Sequence, residues 1–394
     1  MRVLFVPRPD AGRIFGGDVV QMTKTAEALR RLGVVVDVGP AEDARAGVHE
    51  VVHLWTSLHL PNALMPQLEA LAPLRGHVPL ALSPIWAPHH LVRWMDAARR
   101  WLFSRHPDAA ALDLSNAAND LRAIASRAVD FTLDGRTLSA FAPHPFTAEC
   151  RAVLERVDLI LPNSWMELAA IFTFLGDYAQ HAIVPNAVDA HDFEDARTGE
   201  LPEELRARPY VMMSARFDAR KQEDFTMLAL KRLDVPLVFV GERTDTEIFA
   251  RVQALATGRV APVYYYPFLS HGRLKHLYAG ARVHVLPSIF ESPGLSSLEA
   301  ALLERAVVVG NLAFESEYFR EGAYYCDPCD AFSIERAVRA AWDRFELDAP
   351  RRAALAARIR EDYTWEKAAE ATLLAYTRAA ISATPTSARA TPAH

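Results

Sequence analysis

The chain has 394 residues, of which 51% are hydrophobic and 23% are charged, and its formal net charge is −6. This is the composition of an ordinary globular protein with room for two cores, and the negative charge argues against nucleic acid as a partner. No apolar run approaches the roughly 18 residues that cross a bilayer, and the N-terminus lacks the pattern of a signal peptide. We therefore expect a cytoplasmic protein of two domains.

The N-terminal half alternates strand and helix patterns. Apolar runs at residues 3–6 and 34–38 flank a helical pattern at 18–32 that ends at Gly33. This βαβ unit opens a parallel sheet. Further buried strands are predicted at residues 51–55, 79–83 and 157–162.

The C-terminal half repeats this alternation. Strands are predicted at residues 210–215, 236–241, 263–268, 283–287 and 306–310, and helices at 222–233, 274–279 and 297–305. The pattern predicts an α/β fold with two Rossmann-like, doubly wound domains. With a turn-rich boundary near residues 185–193, the predicted divisions are a first domain at 1–185, a second at 186–365, a last helix at 366–381 and a disordered tail at 382–394.

The three cysteines cannot form a disulfide framework. Cys326 and Cys329 make a CxxC pair, but no second pair of ligands completes a zinc site. We expect two reduced thiols and no bound metal.

The first candidate binding loop is SARFDARK at residues 214–221, which follows a predicted strand and leads into a helix. It places Arg216 and Lys221 at the carboxyl end of a sheet, where open α/β sheets bind their ligands. Fixed cations beside a helix N-terminus suit a diphosphate. A solvated basic turn explains the loop equally well.

The second loop, FESPGLSSLEA at residues 290–300, is more specific. Pro293 and Gly294 make a tight turn before a helix whose first N–H groups are available to a phosphate. Glu299 lies about one helical turn further on, where its carboxylate can bind ribose hydroxyls. Glu291 precedes the turn, where a sugar would lie. Together the two glutamates bracket a glycine turn at the end of an apolar strand.

These motifs resemble the GT-B glycosyltransferases, specifically the retaining glycosyltransferase family 4, whose signature is Glu, seven residues and Glu, as in Glu291 to Glu299. Further matching segments follow one another in the right order over roughly residues 183–378: PNAVD at 185–189, SARFDARK, VFVG at 238–241, LKHLYAGARVHVLPS at 274–288, YYCDPCD at 324–330 and YTWEKAA at 363–369. Two positions depart from the family, since Ala187 replaces the usual hinge glycine and Pro293 stands where many members have Phe.

The resemblance implies an N-terminal acceptor domain, a C-terminal donor domain facing it across a cleft, and a last helix that returns to the N-terminal domain. It implies that Arg216 and Lys221 bind the donor diphosphate, that Glu299 binds the ribose and that Glu291 contacts the sugar. The predicted catalytic residues are Glu291, Arg216 and Lys221. The predicted donor-binding residues are Gly17, Arg216, Lys221, Phe268, Leu269, Glu291, Gly294, Leu295, Ser296 and Glu299.

In the N-terminal half, Gly16 and Gly17 lie between the first strand and the first helix, where backbone can approach a phosphate closely. The alternative is a dinucleotide-binding turn, which Asp37 would support, but the G-x-G-x-x-G pattern is absent. Many family members have a histidine near the reaction centre in this half. The candidates, among which no motif selects, are His53, His89, His90 and His144.

Residues 90–106 have apolar side chains at helical spacing together with several arginines, including Arg99 and Arg100. This pattern is typical of a helix packed on a core. It is also compatible with peripheral contact at the inner face of an anionic membrane, near a lipid-linked acceptor.

The predicted function is transfer of a sugar from a nucleoside diphosphate sugar, a UDP-sugar or a GDP-sugar, to a hydroxyl group of a glycan or lipid-linked acceptor. No cofactor is required, because the Arg–Lys pair neutralises the diphosphate. Retention of the anomeric configuration is implied by the resemblance, and bacterial polysaccharide or lipopolysaccharide assembly is an analogy. The alternatives are an epimerase or phosphorylase on the same scaffold and a non-catalytic sugar-nucleotide-binding partner.

Overall fold

The structure of the protein is a computed structural model that describes residues 1–13, 16–86, 89–142, 146–177, 180–196, 200–267 and 269–383. The chain divides into two compact units. The first unit comprises Met1–Trp86, Phe146–Ala187 and Tyr363–His394, and the second comprises Ala87–Pro145 and Val188–Asp362. The tail predicted to be disordered lies outside the described residues from position 384 onward.

The first unit contains a six-stranded parallel sheet in the order β2-β1-β3-β4-β7-β8. Elements are numbered along the whole chain. The strands of this unit are β1 (Arg2–Pro7), β2 (Val35–Val38), β3 (Val51–Trp55), β4 (Leu80–Leu82), β7 (Leu159–Ile160) and β8 (Gln180–His181). Its helices are α1 (Gly17–Arg31), α2 (Pro61–Ala70), α5 (Thr147–Leu154), α6 (Trp165–Leu175) and α15 (Trp365–Ala383).

The second unit contains another six-stranded parallel sheet, in the order β11-β10-β9-β12-β13-β14, and the antiparallel hairpin β5-β6. The strands of this unit are β5 (Phe131–Leu133), β6 (Arg136–Leu138), β9 (Val211–Ser214), β10 (Leu237–Val240), β11 (Val263–Tyr266), β12 (Val283–Leu286), β13 (Ala306–Gly310) and β14 (Tyr324–Cys326). Its helices are α3 (His89–Arg105), α4 (Ala118–Ser126), α7 (Glu203–Arg206), α8 (Glu223–Ala229), α9 (Thr246–Ala256), α10 (His271–Gly280), α11 (Leu295–Leu302), α12 (Glu315–Phe319), α13 (Ala331–Asp343) and α14 (Ala349–Asp362).

Central strands of both sheets are covered on both faces. Every residue of β3, β10, β12 and β13 is buried, as expected of parallel strands that lie between two helical layers. The predicted α/β fold with two doubly wound domains is therefore confirmed for each unit.

The C-terminal helix α15 belongs to the first unit. Its Tyr376 side chain is buried, and the hydroxyl forms a hydrogen bond with His53 Nδ1 on β3. Arg31 at the end of α1 pairs with Glu366 at 2.7 Å. Because α15 covers the sheet of the first unit, its burial contributes to that core.

The described residues 89–142 belong to the second unit, although the sequence pattern placed them in a first domain spanning 1–185. Apolar side chains of α3 and α4 share one buried cluster with those of α8, α9 and α13. The third of the four divisions between the two units falls between Ala187 and Val188. Helical periodicity shows that a face is buried, but it does not show against which sheet.

A buried ion network holds α3 in place. The Arg99 guanidinium is fully buried and donates to Asp224 Oδ1 at 2.8 Å, while Arg251 donates to the other oxygen at 2.7 Å. Each arginine also has a carboxylate on its own helix, Asp96 on α3 and Glu247 on α9. The network therefore links three helices of the second unit through the carboxylate of Asp224.

The same packing bears on the membrane hypothesis for residues 90–106. Trp94, Met95, Ala98 and Leu102 are buried in the core of the second unit, so the apolar face that would enter a membrane is covered. Arg99 itself lies in the buried ion network and is fully buried, so its charge does not face a membrane.

We predict that Asp224→Asn lowers the free energy of unfolding by about 3–5 kcal/mol, because it leaves two buried guanidinium groups without their shared carboxylate. Calorimetric thermal unfolding measures the change, and Asp343→Asn, the same replacement at an exposed site on α13, is the control. Equal unfolding temperatures for the two variants would contradict this account of the network.

Candidate functional site

The candidate site lies at the point where the strand order of the second sheet reverses. The strands β10 and β11 lie on one side of β9, and the later strands β12, β13 and β14 lie on its other side. Ligands of open α/β sheets bind outside the carboxyl ends of the strands at such a switch point. The two predicted binding loops follow β9 and β12, which are neighbours.

Asp218 organises the loop after β9. Its carboxylate accepts hydrogen bonds from the backbone N–H groups of Arg220 at 2.9 Å and Lys221 at 3.1 Å, and it lies 3.8 Å from the Arg216 guanidinium. Sequence reasoning did not single out this residue. The sequence does offer a signal for this turn, because an aspartate side chain can accept hydrogen bonds from the backbone N–H groups two and three residues further along the chain, as in Asx turns.

The loops after β9 and β12 are joined to each other. Lys221 Nζ donates to the Glu291 carboxylate, and both side chains are largely buried, with 12% and 7% exposed. The backbone N–H of Ile289 donates to the Arg220 carbonyl at 3.0 Å. Gln222 donates from Nε2 to the carbonyl of Pro287 at 2.9 Å. The structure therefore brings Lys221 and Glu291 into direct contact.

Electrostatics keeps Glu291 ionised in this buried setting. Burial acts to raise the pKa of the Glu291 carboxyl, but the positive charges of Lys221 and Arg220 lower the pKa below its ordinary value. The site therefore contains a buried carboxylate held by a buried ammonium group.

The helix α11 begins directly after the second loop. Gly294, its N-terminal cap, has φ +84°, a conformation that favours glycine. Leu295 and Ser296 form the first turn, where the backbone N–H groups have no acceptor within the helix. Glu299 lies one turn further on, beside the buried Tyr278 phenol. A glycine turn, the start of a helix and a half-buried glutamate therefore follow one another along this part of the chain.

Gly241, at the end of β10, allows the strand to approach the first loop closely. A Cβ atom at this position would lie 1.9 Å from the carbonyl oxygen of Ala215, which immediately precedes Arg216. A glycine is therefore required for the loop to keep its position.

Two of the predicted donor-binding residues, Phe268 and Leu269, follow β11. Phe268 lies outside the described residues. Leu269 lines a cavity of about 530 Å³ together with Tyr266 and Arg273.

In the first unit, Gly17 is the first residue of α1, and Arg8 pairs with Asp18 in the first turn of that helix. Ser164 caps α6 by accepting from the N–H of Glu167, so the Asn163–Ser164 segment acts as a helix cap. The backbone N–H of Trp86 donates to the Glu167 carboxylate at 2.7 Å. These contacts account for the local structure of the segment.

The candidate histidines have separate environments. His53 contacts Ser83 and Tyr376, and burial lowers its pKa to about 3, so it is a neutral residue of the core. Burial also lowers the pKa of His90, at the start of α3. The side chain of His89 and the whole of His144 lie outside the described residues.

The cysteine pair lies in the second unit. Cys326 and Cys329 are buried free thiols, and burial raises the pKa of Cys329 to about 12. Within the described parts of the chain, no group of three or more His, Cys, Asp or Glu side chains is arranged to hold a metal ion. No helix in those parts is long and apolar enough to span a bilayer.

The chain is similar to a known protein family, to a characterised relative and to solved structures. Residues 200–361 match the family "Glycosyl transferases group 1". The alpha-maltose-1-phosphate synthase of Mycolicibacterium smegmatis is 24% identical, with 95% of this chain and 99% of the relative aligned. Sucrose-phosphate synthase from Thermosynechococcus elongatus superposes with a TM-score of 0.71 at 17% identity, over 96% of this chain and 98% of the other. The Anabaena protein HepE in complex with UDP and glucose superposes with a TM-score of 0.64 at 15% identity, over 96% and 100% of the two chains.

The family match covers the donor-side motifs, the relative aligns along its whole length, and the fold is shared with solved glycosyltransferases. The chain is therefore a glycosyltransferase of the GT-B fold that depends on a nucleotide sugar. This confirms the class of enzyme predicted from the sequence.

We predict that Gly241→Ala weakens binding of a nucleoside diphosphate by at least about tenfold, because the added methyl group displaces the loop that carries Arg216. Titration calorimetry measures the affinity. Gly258→Ala is a matched control, since Gly258 also has a positive φ (+78°) but no atom lies within 4 Å of the added Cβ. Its backbone strain of about 1–2 kcal/mol should leave the affinity unchanged. Equal affinities of the two variants would contradict the role given to Gly241.

Proposed function

We propose that the enzyme transfers a hexosyl unit from a UDP-sugar to a hydroxyl group of a sugar or glycan acceptor, with retention of the anomeric configuration. The observation that carries the proposal is the buried Lys221–Glu291 pair beside the start of α11. It combines a cation, helix N–H groups and a carboxylate, which match a diphosphate and a sugar hydroxyl.

Arg216, Lys221 and the N-terminus of α11 bind the diphosphate in this proposal. Charge-assisted hydrogen bonds from the two cations and bonds from the first backbone N–H groups of the helix satisfy its oxygens. Arg216 has 32% of its side chain exposed, so it can turn toward a ligand, whereas Lys221 is held in place by Glu291. Glu299 binds the ribose hydroxyls, since its carboxylate lies one turn into the same helix.

Catalysis follows from the charge that develops on the leaving group. When the bond between the anomeric carbon and the phosphate oxygen breaks, the bonding electron pair stays on that oxygen. The acceptor oxygen forms the new bond to the anomeric carbon, and its proton passes to the departing diphosphate. Negative charge on the diphosphate grows, so the fixed cations and helix N–H groups bind it more strongly in the transition state than in the ground state. Glu291 accepts a hydrogen bond from a sugar hydroxyl and so orients the anomeric carbon.

The choice of UDP and of a sugar acceptor draws on the relatives. HepE was solved with UDP and glucose, and two of the similar proteins are named as synthases of sugar phosphates. Membership of glycosyltransferase family 4, with retention, is supported by Glu291 and Glu299 at the family spacing. We assign the acceptor site to the first unit.

We predict that Lys221→Ala lowers kcat for transfer by about 10²- to 10³-fold, because it removes a donor that stabilises the leaving diphosphate. Release of UDP in the presence of an acceptor measures the rate. Lys367→Ala, an exposed lysine on α15, is the control. Activity of the Lys221 variant within threefold of wild type would contradict the assigned role.

We further predict that UDP raises the unfolding temperature more than GDP, ADP or CDP in a thermal-shift panel. A ligand at about 100 times its Kd stabilises the folded state by about 2.7 kcal/mol. A larger shift with GDP would assign a different donor to the same site. No shift with any of the four nucleotides would contradict nucleotide-sugar binding.

A further inference from the structure

Lys221 lies among four acidic side chains. Electrostatic interactions connect it with Asp218 in its own loop, Glu223 at the start of α8, Glu291 after β12 and Glu315 at the start of α12. Four carboxylates around one ammonium group would repel a diphosphate, so the ionisation of each acid decides whether the proposed site works.

Two of these acids are ionised. Burial acts to raise the pKa of Asp218, but the charges of Arg220, Lys221 and Arg216 lower it below its ordinary value. The pKa of Glu291 is lowered against the effect of burial by Lys221 and Arg220. Both carboxylates also form direct contacts with the loop after β9.

The other two acids are buried without a direct cation partner. Glu315 has 1% of its surface exposed, and neither carboxyl oxygen has a hydrogen-bond partner among the described residues. A Cβ atom placed on Gly310 would lie 3.6 Å from Glu315 Oε1 and 2.8 Å from the carbonyl oxygen of Ser288, which follows β12. The Glu315 carboxyl group therefore lies close to the loop after β12. Glu223 has 1% of its surface exposed, and one of its oxygens, Oε1, likewise has no partner in this part of the chain.

Burial of this kind favours the uncharged acid, because an unpaired carboxylate loses its hydration without compensation. Burial raises the pKa of Glu315 well above its ordinary value and the negative charge of Glu291 raises it further, while the residue's own backbone N–H group and Lys221 oppose the shift. Among the described residues, Tyr325 and Cys326 of β14 also interact with Glu315, and their pKa values are raised by burial. These two groups therefore carry no charge that would compensate a Glu315 carboxylate.

The charge balance of the site depends on these neutral acids. In the loops after β9 and β12, without Glu299 of α11, Arg216, Arg220 and Lys221 supply three positive charges and Asp218 and Glu291 supply two negative charges, which leaves these two loops with one positive charge for an anionic ligand. His284, which interacts with Lys221 and Glu291, is buried and neutral because burial lowers its pKa to about 3. Ionisation of Glu315 alone would cancel the surplus, and ionisation of Glu223 as well would reverse it.

We propose that Glu315 is a positioning residue of the donor site: its buried, uncharged carboxyl group leaves Lys221 paired with Glu291 and leaves the loops after β9 and β12 with a net positive charge for the donor diphosphate. The proposal rests on the proposed function, since it concerns the same diphosphate. Loss of the Glu315 proton turns the residue into a second buried anion beside Lys221, which competes with the diphosphate for the ammonium group. Donor binding therefore requires this acid to be protonated.

The consequence is a dependence of UDP affinity on pH. In the wild-type enzyme the Kd for UDP rises by up to about tenfold per pH unit once Glu315 begins to lose its proton. Glu315→Gln keeps the shape of the side chain but cannot ionise, so this rise is absent or begins at a higher pH. At a pH below the rise the two proteins bind UDP within about threefold of each other.

Titration calorimetry with UDP between about pH 6 and pH 9 tests this proposal on the full chain. Glu317→Gln, on the same short helix, is the matched control and should follow the wild-type profile. If the wild type and Glu315→Gln show the same rise in Kd, the positioning role of Glu315 is wrong and the proposed function stands. If the wild type does not bind UDP, or if Lys221→Ala binds it equally well, the proposed site itself is wrong.

A second variant and a second measurement cover the case in which Glu315→Gln does not fold. Glu315→Met also places an uncharged side chain of similar length there and should give the same flat profile. If neither variant folds, infrared spectroscopy of Glu223→Gln, which removes the other buried acid, detects the protonated Glu315 carboxyl group, and the band should persist above about pH 7 and vanish over the range in which UDP affinity falls. Absence of the band at about pH 7 would overturn the proposal.

Discussion

The contact between Lys221 and Glu291 is the interaction on which the site depends. It joins the loop after β9 to the loop after β12, at the point where the order of the parallel strands reverses. A buried ammonium group without its carboxylate would be costly, and the same holds for the carboxylate. Each side chain therefore fixes the other, and the pair holds the loop that precedes α11 against the loop after β9.

Several supporting features keep that contact in register. Asp218 closes the first loop by binding two backbone N–H groups, and Gly241 lets β10 approach that loop. The network of Arg99, Asp224 and Arg251 fixes α8, the helix that follows Lys221, against α3 and α9. Stability and binding therefore share one framework, because residues 89–142 pack against the helices that carry the first loop.

The sequence predicted the strands and the two loops of the second unit because the signals for these elements are local. Alternating apolar runs located the strands, and a glycine turn between two glutamates located the start of α11. The packing of residues 89–142 on the second unit was not predictable, since the spacing of Trp94, Met95 and Leu102 shows a buried face without naming its partner. Glu315 was also missed: its environment is created by β12, β13 and β14 together, and an isolated glutamate at the start of a five-residue helix carries no pattern of its own.

The central claim is that a diphosphate binds at the switch point of the second sheet, and a crystal structure of the enzyme with UDP tests it most directly. The account predicts diphosphate oxygens within hydrogen-bond distance of Lys221 Nζ, the Arg216 guanidinium and the first backbone N–H groups of α11, with the ribose at Glu299. UDP bound elsewhere, or bound here with Arg216 and Lys221 both directed away from the phosphates, would contradict it.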